Sequence, residues 1–202
     1  RTRWSLSSAN SINLGRLLPQ MVYYAVASTR YREQYGAEAG FIIPSGNVGN
    51  ATACLWARQV GMPIREVVLA TNENPTLTEY VEGGDWKPRA TVETLATAMD
   101  VGNPSNMERI FELCGGIEET RAQLRAYRVN DDEIREEIRS GIDRWGEIWD
   151  PHSATAAAVR RRVEGEHWVL VATAHPAKFE GVVEPLIGRS VEVPPALARI
   201  LE

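Results

Sequence analysis

The sequence has 202 residues, 44% of them hydrophobic and 24% charged, which is typical of one large domain or of one domain with a smaller lobe. The net charge is -5 and both signs are interspersed, so the chain offers no basic face for nucleic acid and no polybasic segment for a membrane. No apolar run is long enough to span a bilayer, and we expect a cytoplasmic protein whose partner is a small molecule.

The chain starts on mostly polar residues without an initiator methionine, and we therefore expect it to be part of a longer polypeptide. Asn10 or Ser11 is predicted to cap a helix whose apolar residues cover more than one face, so this helix should be largely buried. Arg16 can reach back toward the helix start, where the three side chains could hold a phosphate or a carboxylate. As an isolated pair, Asn10 and Ser11 are explained more simply as helix caps.

An apolar strand over residues 41–44 is followed by the turn Ser-Gly-Asn-Val-Gly-Asn (45–50) and a helix over residues 51–60. A second strand follows at 66–70, so this is a strand-helix-strand unit that favours a parallel sheet. Gly46 and Gly49 are expected to allow backbone conformations that a side chain would resist, so that successive N–H groups point at one anion. The glycine spacing fits neither the Rossmann nor the Walker A pattern, and an ordinary strand-to-helix turn is an equal alternative for the turn taken alone.

The rest of the chain is predicted to continue this alternation. A short helix begins after Asn74-Pro75, residues 106–141 are helical and rich in charge, and a helix over 153–163 precedes a strand at 168–172. Thr173, His175 and Lys178 follow that strand, where an open parallel sheet places ligands.

His175 and Lys178 both have simpler explanations than catalysis. We interpret His175 as a structural loop residue, because no carboxylate stands at metal-ligand spacing from any of the three histidines. Lys178 fits a solvent-exposed helix start better than a Schiff base. Cys54 and Cys114 lack metal-like spacing and indicate a reducing compartment rather than a disulfide scaffold; neither is expected to be a nucleophile.

Five blocks together resemble the threonine synthase family, in its longer branch, in their order and spacing. They are Asn-Ser-Ile-Asn-Leu-Gly-Arg (10–16), Pro-Ser-Gly-Asn-Val-Gly-Asn (44–50), Ala-Thr-Asn-Glu-Asn (70–74), Met-Asp-Val-Gly-Asn-Pro-Ser-Asn (99–106) and Thr-Ala-His-Pro-Ala-Lys-Phe (173–179). The resemblance implies an α/β fold, an open mostly parallel sheet with helices on both faces. Residues 1–202 would form part of the cofactor-binding domain of a fold type II enzyme, with a helical insertion at about 106–150.

The resemblance also implies a lyase that uses pyridoxal 5'-phosphate to convert O-phospho-L-homoserine and water to L-threonine and phosphate. The cofactor phosphate would be bound by Gly46, Asn47, Val48, Gly49 and Asn50, and Thr173 would hydrogen-bond the pyridine nitrogen. A neutral hydroxyl there would not force the nitrogen to stay protonated. The substrate phosphate would be bound by Asn10, Ser11 and Arg16, with Asn47 shared.

The sequence departs from the family in one respect that concerns catalysis. It contains two lysines, Lys87 and Lys178, and neither matches the family's Schiff-base lysine, whose segment precedes the block at 10–16. We therefore expect the chain to be the C-terminal part of such an enzyme and to be inactive alone. Two alternatives stay open: another fold type II lyase of phosphorylated amino acids, or a non-catalytic module that binds phosphate or pyridoxal phosphate.

Overall fold

The computed structural model describes residues 10–201. Its sheet has four strands in that range, all parallel and in the order β3-β2-β1-β4, namely β1 (Ala39–Pro44), β2 (Ile64–Thr71), β3 (Arg125–Arg128) and β4 (Trp168–Leu170). The α-helices of the same range are α1 (Leu14–Leu17), α2 (Met21–Tyr35), α3 (Gly49–Gln59), α4 (Thr76–Val81), α5 (Met107–Cys114), α6 (Ile117–Arg121), α7 (Asp131–Trp145), α8 (Pro151–Arg160), α9 (Glu180–Ile187) and α10 (Pro195–Leu201). None of these described helices is both long and apolar enough to cross a membrane. The prediction of an open, parallel α/β sheet is confirmed.

The side chains of β1 alternate between two cores, one on each face of the sheet. Phe41 points into a cluster that contains Tyr24 of α2 and Leu55 of α3. Ile42 points the other way, into a cluster that contains residues of α7 and α8, including Val159. Because successive residues of a strand face opposite sides, six consecutive buried positions in β1 require helices on both faces.

The first helical segment differs from its prediction. A 3-10 turn at Leu18–Gln20, which contains Pro19, separates α1 from α2, because proline has no N–H to continue the hydrogen-bond ladder. Only Leu17, Tyr24 and Ser28 of these helices are buried among the described residues, whereas Leu18 is 53% exposed. The expectation of a largely buried helix was wrong, since only part of its apolar surface packs on the sheet.

The segment at 106–150 is not wholly helical. β3 lies within it and pairs in parallel with β2, from Val68 opposite Arg125 to Thr71 opposite Arg128. β3 is an edge strand with an arginine at each end, and its polar sequence resembles that of a solvated helix. This strand was not predicted from the sequence for that reason, and the view of 106–150 as an insertion stays a prediction.

Candidate functional site

The turn at 45–50 lies at the carboxyl end of β1, where it connects to α3. Ser45 is buried, its N–H donates to the Ala70 carbonyl of β2 over 2.8 Å, and its Oγ donates to the Ile43 carbonyl over 2.8 Å. The first of these bonds joins the end of β1 to the end of β2, and the second holds the Ser45 side chain against β1 itself. The turn therefore starts from a fixed position at the carboxyl ends of the strands, where open parallel sheets bind their ligands.

The left-handed residue of this turn is Val48, not a glycine. Val48 has φ 52° and ψ 18°, whereas Gly46 and Gly49 are not in the left-handed region, so the conformational reason given for the two glycines was wrong. Close packing explains them instead. A Cβ added to Gly46 would lie 2.8 Å from Met99 Cα, and one added to Gly49 would lie 3.3 Å from Ser11 Cβ.

The turn ends in the N-terminus of α3, an eleven-residue helix that begins at Gly49. The first N–H groups of a helix have no acceptor within the helix, and the helix dipole adds positive potential at that end. Val48, in its left-handed conformation, continues this row of N–H groups into the turn, which is the geometry of an anion-binding nest. The turn can thus hold a phosphate group, and its binding of one stays a prediction.

The segment at 10–16 lies against this turn. Ser11 packs beside Gly49, as the contact above shows, and Asn13 is the residue that caps α1, because its Oδ1 accepts from Gly15 N over 2.8 Å. The prediction that Asn10 or Ser11 caps the helix was wrong: Asn10 Oδ1 instead accepts from Ile12 N over 3.0 Å and closes a turn. The first two polar clusters of the sequence are therefore neighbours in the fold.

A cavity of about 640 Å³ brings Arg16, Asn50 and Thr173 together, from three segments that are distant in the sequence. Arg16 alone carries a charge among the described residues that line it, and it is exposed, as is Thr173. A larger cavity of about 970 Å³ is lined by Trp56 and Trp86, and none of the predicted site residues is among its described lining. The smaller cavity is the better candidate because it is the one that brings predicted site residues together.

Tyr24 is a residue of this cavity that the sequence analysis missed. Its hydroxyl donates to Asn50 Oδ1 over 2.5 Å. Burial raises the pKa of Tyr24 well above its ordinary 10.0, so the phenol stays protonated and donates at neutral pH. Because this bond occupies Asn50 Oδ1, the Asn50 side chain has its amide N–H groups left to donate to a ligand.

Asn47 is oriented by a loop for which the sequence analysis predicted no role. Its Oδ1 accepts from Ser105 N over 3.3 Å and from Ser105 Oγ over 3.2 Å, and its backbone carbonyl accepts from Asn106 Nδ2 over 2.9 Å. With its oxygen held in this way, the Asn47 side chain has its amide N–H groups available for a negative ligand.

The start of α8 connects the remaining parts of the site. Buried His152 accepts from Ala98 N at Nε2 over 3.1 Å and binds Asp150 Oδ1 through Nδ1 over 2.8 Å. The next residue, Ser153, accepts at Oγ from Thr173 N over 3.1 Å. One helix end therefore fixes both the loop that packs on Gly46 and the segment that carries Thr173.

The structure gives plain structural roles to three other reactive groups. His175 Nδ1 accepts from Ala177 N over 3.2 Å and caps a 3-10 turn that contains exposed Lys178, in agreement with the interpretation of both residues. Burial raises the pKa of Cys54, so this thiol is not a nucleophile at neutral pH.

Comparison with known proteins shows similarity along almost the whole chain. The family described as "Pyridoxal-phosphate dependent enzyme" matches residues 17–174, and the family described as "Threonine synthase, C-terminal" matches residues 153–202. Threonine synthase of Serratia marcescens is 39% identical over 195 residues, which cover 96% of this chain and 45% of that protein. The chain thus spans about half the length of the curated relatives it matches.

Solved structures agree with the sequence matches. The threonine synthase of Brucella melitensis, solved with pyridoxal phosphate bound, superimposes with a TM-score of 0.87 at 30% identity and covers 96% of this chain and 48% of its own. The threonine synthase of Escherichia coli superimposes with a TM-score of 0.82 at 36% identity, covering 96% of this chain and 45% of its own.

Proposed function

The chain belongs to the pyridoxal-phosphate dependent enzyme family, and from this premise we propose that it is the part of a threonine synthase that binds the cofactor phosphate and the substrate phosphate. The complete enzyme would convert O-phospho-L-homoserine and water to L-threonine and phosphate in the cytoplasm. The observation that carries the proposal is the convergence of Arg16, Asn50 and Thr173 on one cavity beside the N-terminus of α3.

The residues of the turn fit the phosphate of pyridoxal 5'-phosphate. We assign its binding to Gly46, Asn47, Val48, Gly49 and Asn50, because backbone N–H groups of the turn and of α3 are suited to a doubly charged oxyanion. When bound, the cofactor supplies an electron sink for carbanions of the amino-acid substrate.

Thr173 is assigned to the pyridine nitrogen of the cofactor. Its backbone N–H is held by Ser153, and its side chain lies at the cavity that also contains Asn50. A hydroxyl is neutral and can either donate a hydrogen bond to the ring nitrogen or accept one from it. It therefore does not require that nitrogen to be protonated.

Asn10, Ser11, Arg16 and Asn47 are assigned to the substrate phosphate. Ser11 packs beside Gly49 at the start of α3, and Asn47 lies in the turn just before that helix. Arg16 is exposed at the cavity, where its guanidinium can form paired hydrogen bonds to a phosphate. These groups would hold the substrate so that its γ-phosphate and its reacting carbons have fixed positions relative to the cofactor.

The proposed reaction needs a lysine that these 202 residues do not supply at the cavity. Lys87 pairs with Asp85 over 2.9 Å, Lys178 lies in the exposed 3-10 turn, and neither is among the described residues that line the cavity of Arg16. We therefore propose that the lysine comes from protein outside this sequence and that the chain alone binds ligands without forming threonine.

Binding of pyridoxal 5'-phosphate to the 202-residue chain tests the cofactor site. The signal is quenching of the fluorescence of the chain's six tryptophans. Pyridoxal is the matched control, since it keeps the aldehyde that reacts with exposed lysines but lacks the phosphate. We expect at least about tenfold tighter binding of the phosphorylated form, the effect of one or two charge-assisted hydrogen bonds. Equal affinities would argue against a phosphate site.

The division between the two phosphate sites is tested with Arg16→Ala in the complete enzyme, with Arg30→Ala as a matched exposed arginine of α2. We expect Arg16→Ala to lower kcat/KM for O-phospho-L-homoserine about tenfold or more while cofactor retention changes less than about twofold. Equal losses in both would contradict the assignment. Identification of the product as threonine separates this proposal from another phospho-amino-acid lyase.

A further inference from the structure

Three segments of the chain meet at Gly49. A Cβ added there would lie 3.3 Å from Ser11 Cβ and 3.4 Å from Asn106 Nδ2, so the turn is enclosed by the segment at 10–16 and by the residue before α5. The proposed function places an anion on each of the first two segments. The third segment, which orients Asn47, has no residue assigned to an anion.

Asn106 is fully buried and uses both ends of its amide. Its Nδ2 donates to the Asn47 carbonyl over 2.9 Å, and its Oδ1 accepts from Arg109 Nη1 over 2.6 Å. An asparagine whose donor and acceptor are both engaged has one orientation, because a flipped amide would place N–H against N–H and oxygen against oxygen.

The bond to the Asn47 carbonyl determines where the Val48 N–H points. A trans peptide directs its C=O and its N–H to opposite sides, and the described chain contains no cis peptide. With the Asn47 carbonyl directed to Asn106, the Val48 N–H is directed away from Asn106. Val48 also has a left-handed backbone, which is costly for a β-branched residue and persists only when its surroundings hold it.

Arg109 extends this connection to the other segment. The guanidinium that donates to Asn106 through Nη1 also donates to the Ile12 carbonyl through Nη2 over 2.6 Å. Ile12 belongs to the turn that Asn10 closes, in which Asn13 N donates to the Asn10 carbonyl over 3.1 Å. A single planar side chain therefore connects the turn at 10–13 to the turn at 45–50 through Asn106.

We propose that Asn106 and Arg109 are positioning residues that set the distance and orientation between the two phosphate-binding segments. The inference rests on the proposed function of those segments and goes beyond it, since neither residue is among those assigned to either phosphate. Asn106 orients the Val48 N–H toward the cofactor phosphate. Arg109 holds the 10–13 turn at the distance that the substrate requires, and the fork of its guanidinium matters more than its charge.

The test uses the 202-residue chain labelled with nitrogen-15 and titrated with inorganic phosphate and with pyridoxal 5'-phosphate. In the native sequence we expect the Val48 amide resonance to shift on addition of either anion. Asn106→Ala should remove most of that shift and weaken phosphate binding about tenfold, while the protein remains folded by its amide spectrum. Asn103→Ala is the matched control, because Asn103 is exposed three residues earlier in the same loop.

Arg109→Lys keeps the positive charge but replaces the rigid planar fork of the guanidinium with a compact ammonium group on a flexible stem. We expect it to weaken phosphate binding about as much as Arg109→Ala does and to shift the Asn13 amide resonance, whereas exposed Arg139→Ala of α7 should do neither. If Asn106→Ala does not fold, Asn106→Asp replaces it, since Asp keeps the contact with Arg109 and loses the donor to Asn47.

The outcomes separate two failures. No response of Val48 to either anion in the native chain would overturn the proposed phosphate site, and the inference with it. A native response that Asn106→Ala and Asn106→Asp leave intact would overturn the inference alone. Native affinity in Arg109→Lys would show that charge suffices and would also overturn the role proposed for the guanidinium fork.

Discussion

Replacement of Gly46 by alanine tests the packing of the turn at 45–50. The added Cβ would lie 2.8 Å from Met99 Cα, 3.1 Å from the Ala98 carbonyl oxygen and 3.3 Å from Val101 Cγ2. Two of these neighbours are backbone atoms, so no rotation of a side chain can make room. The Ala98 N–H is also held by buried His152, which limits how far that backbone can move.

The size of the effect follows from two opposing contributions. Forcing one carbon into a well-packed position costs about 1–3 kcal/mol. The backbone of Gly46 is not in the left-handed region, so alanine can adopt it without strain. Alanine also lowers the conformational entropy of the unfolded chain, which stabilises the folded protein by about 0.4–1 kcal/mol. Because two of the contacts are with backbone atoms, the packing cost lies in the upper half of its range, about 2–3 kcal/mol, and we expect Gly46→Ala to lower the free energy of unfolding by about 1–2.6 kcal/mol.

Urea unfolding followed by tryptophan fluorescence measures this change, with Gly181→Ala of α9 as the matched control. A Cβ at Gly181 meets no atom within 4 Å, and that substitution should raise the free energy of unfolding by about 0.5 kcal/mol. A Gly46→Ala protein within about 0.5 kcal/mol of the native one would refute the close approach of residues 98–101 to the turn.

Three further predictions concern the rest of the fold. Gly40→Ala should destabilise the sheet because its Cβ would overlap the Trp168 ring. Trp168→Ala in the same protein should remove this loss of stability, and a double-mutant cycle would show it as non-additive changes in the free energy of unfolding. Glu137 is buried against Arg144 at 3.0 Å and Arg161 at 2.7 Å, so Glu137→Gln should cost about 1–3 kcal/mol in urea unfolding, whereas exposed Glu136→Gln should cost little. Burial raises the pKa of Cys54 above its ordinary 9.0 and that of Tyr24 above its ordinary 10.0, so both groups hold their protons more tightly in the folded protein. The free energy of unfolding should therefore fall above about pH 9, by up to about 1.4 kcal/mol per pH unit for each group. Cys54→Ala should reduce this dependence on pH.

The fold could largely be predicted from sequence because its central elements are locally encoded. The apolar runs of β1 and β2 predict both strands, and the helix α3 between them predicts that the two strands are parallel. β3 could not be recognised, since an edge strand is stabilised by its neighbour rather than by its own apolar pattern. The exposure of α1 and α2 also depends on which surfaces pack on the sheet, and periodicity alone does not determine that.

The sequence predicted which residues form the candidate site better than it predicted their conformations and contacts. The polar clusters at 10–16, 45–50 and 173 were found from their places at strand and helix ends, and the structure makes them neighbours. The left-handed backbone of Val48 carried no sequence signal, because valine is unusual in that conformation. Tyr24, Asn106 and His152 were missed because their partners lie between 26 and 59 residues away in the chain.

These long separations have a consequence for the order in which the molecule folds. The unit of β1, α3 and β2 is local in sequence, so its contacts close short loops and form at low entropic cost. The bond from Ala98 to His152 spans 54 residues and that from Arg109 to Ile12 spans 97. We therefore expect refolding to form the unit of β1, α3 and β2 first, and the proposed capacity to bind phosphate to return later than the hydrogen bonds between β1 and β2 in the same kinetic experiment.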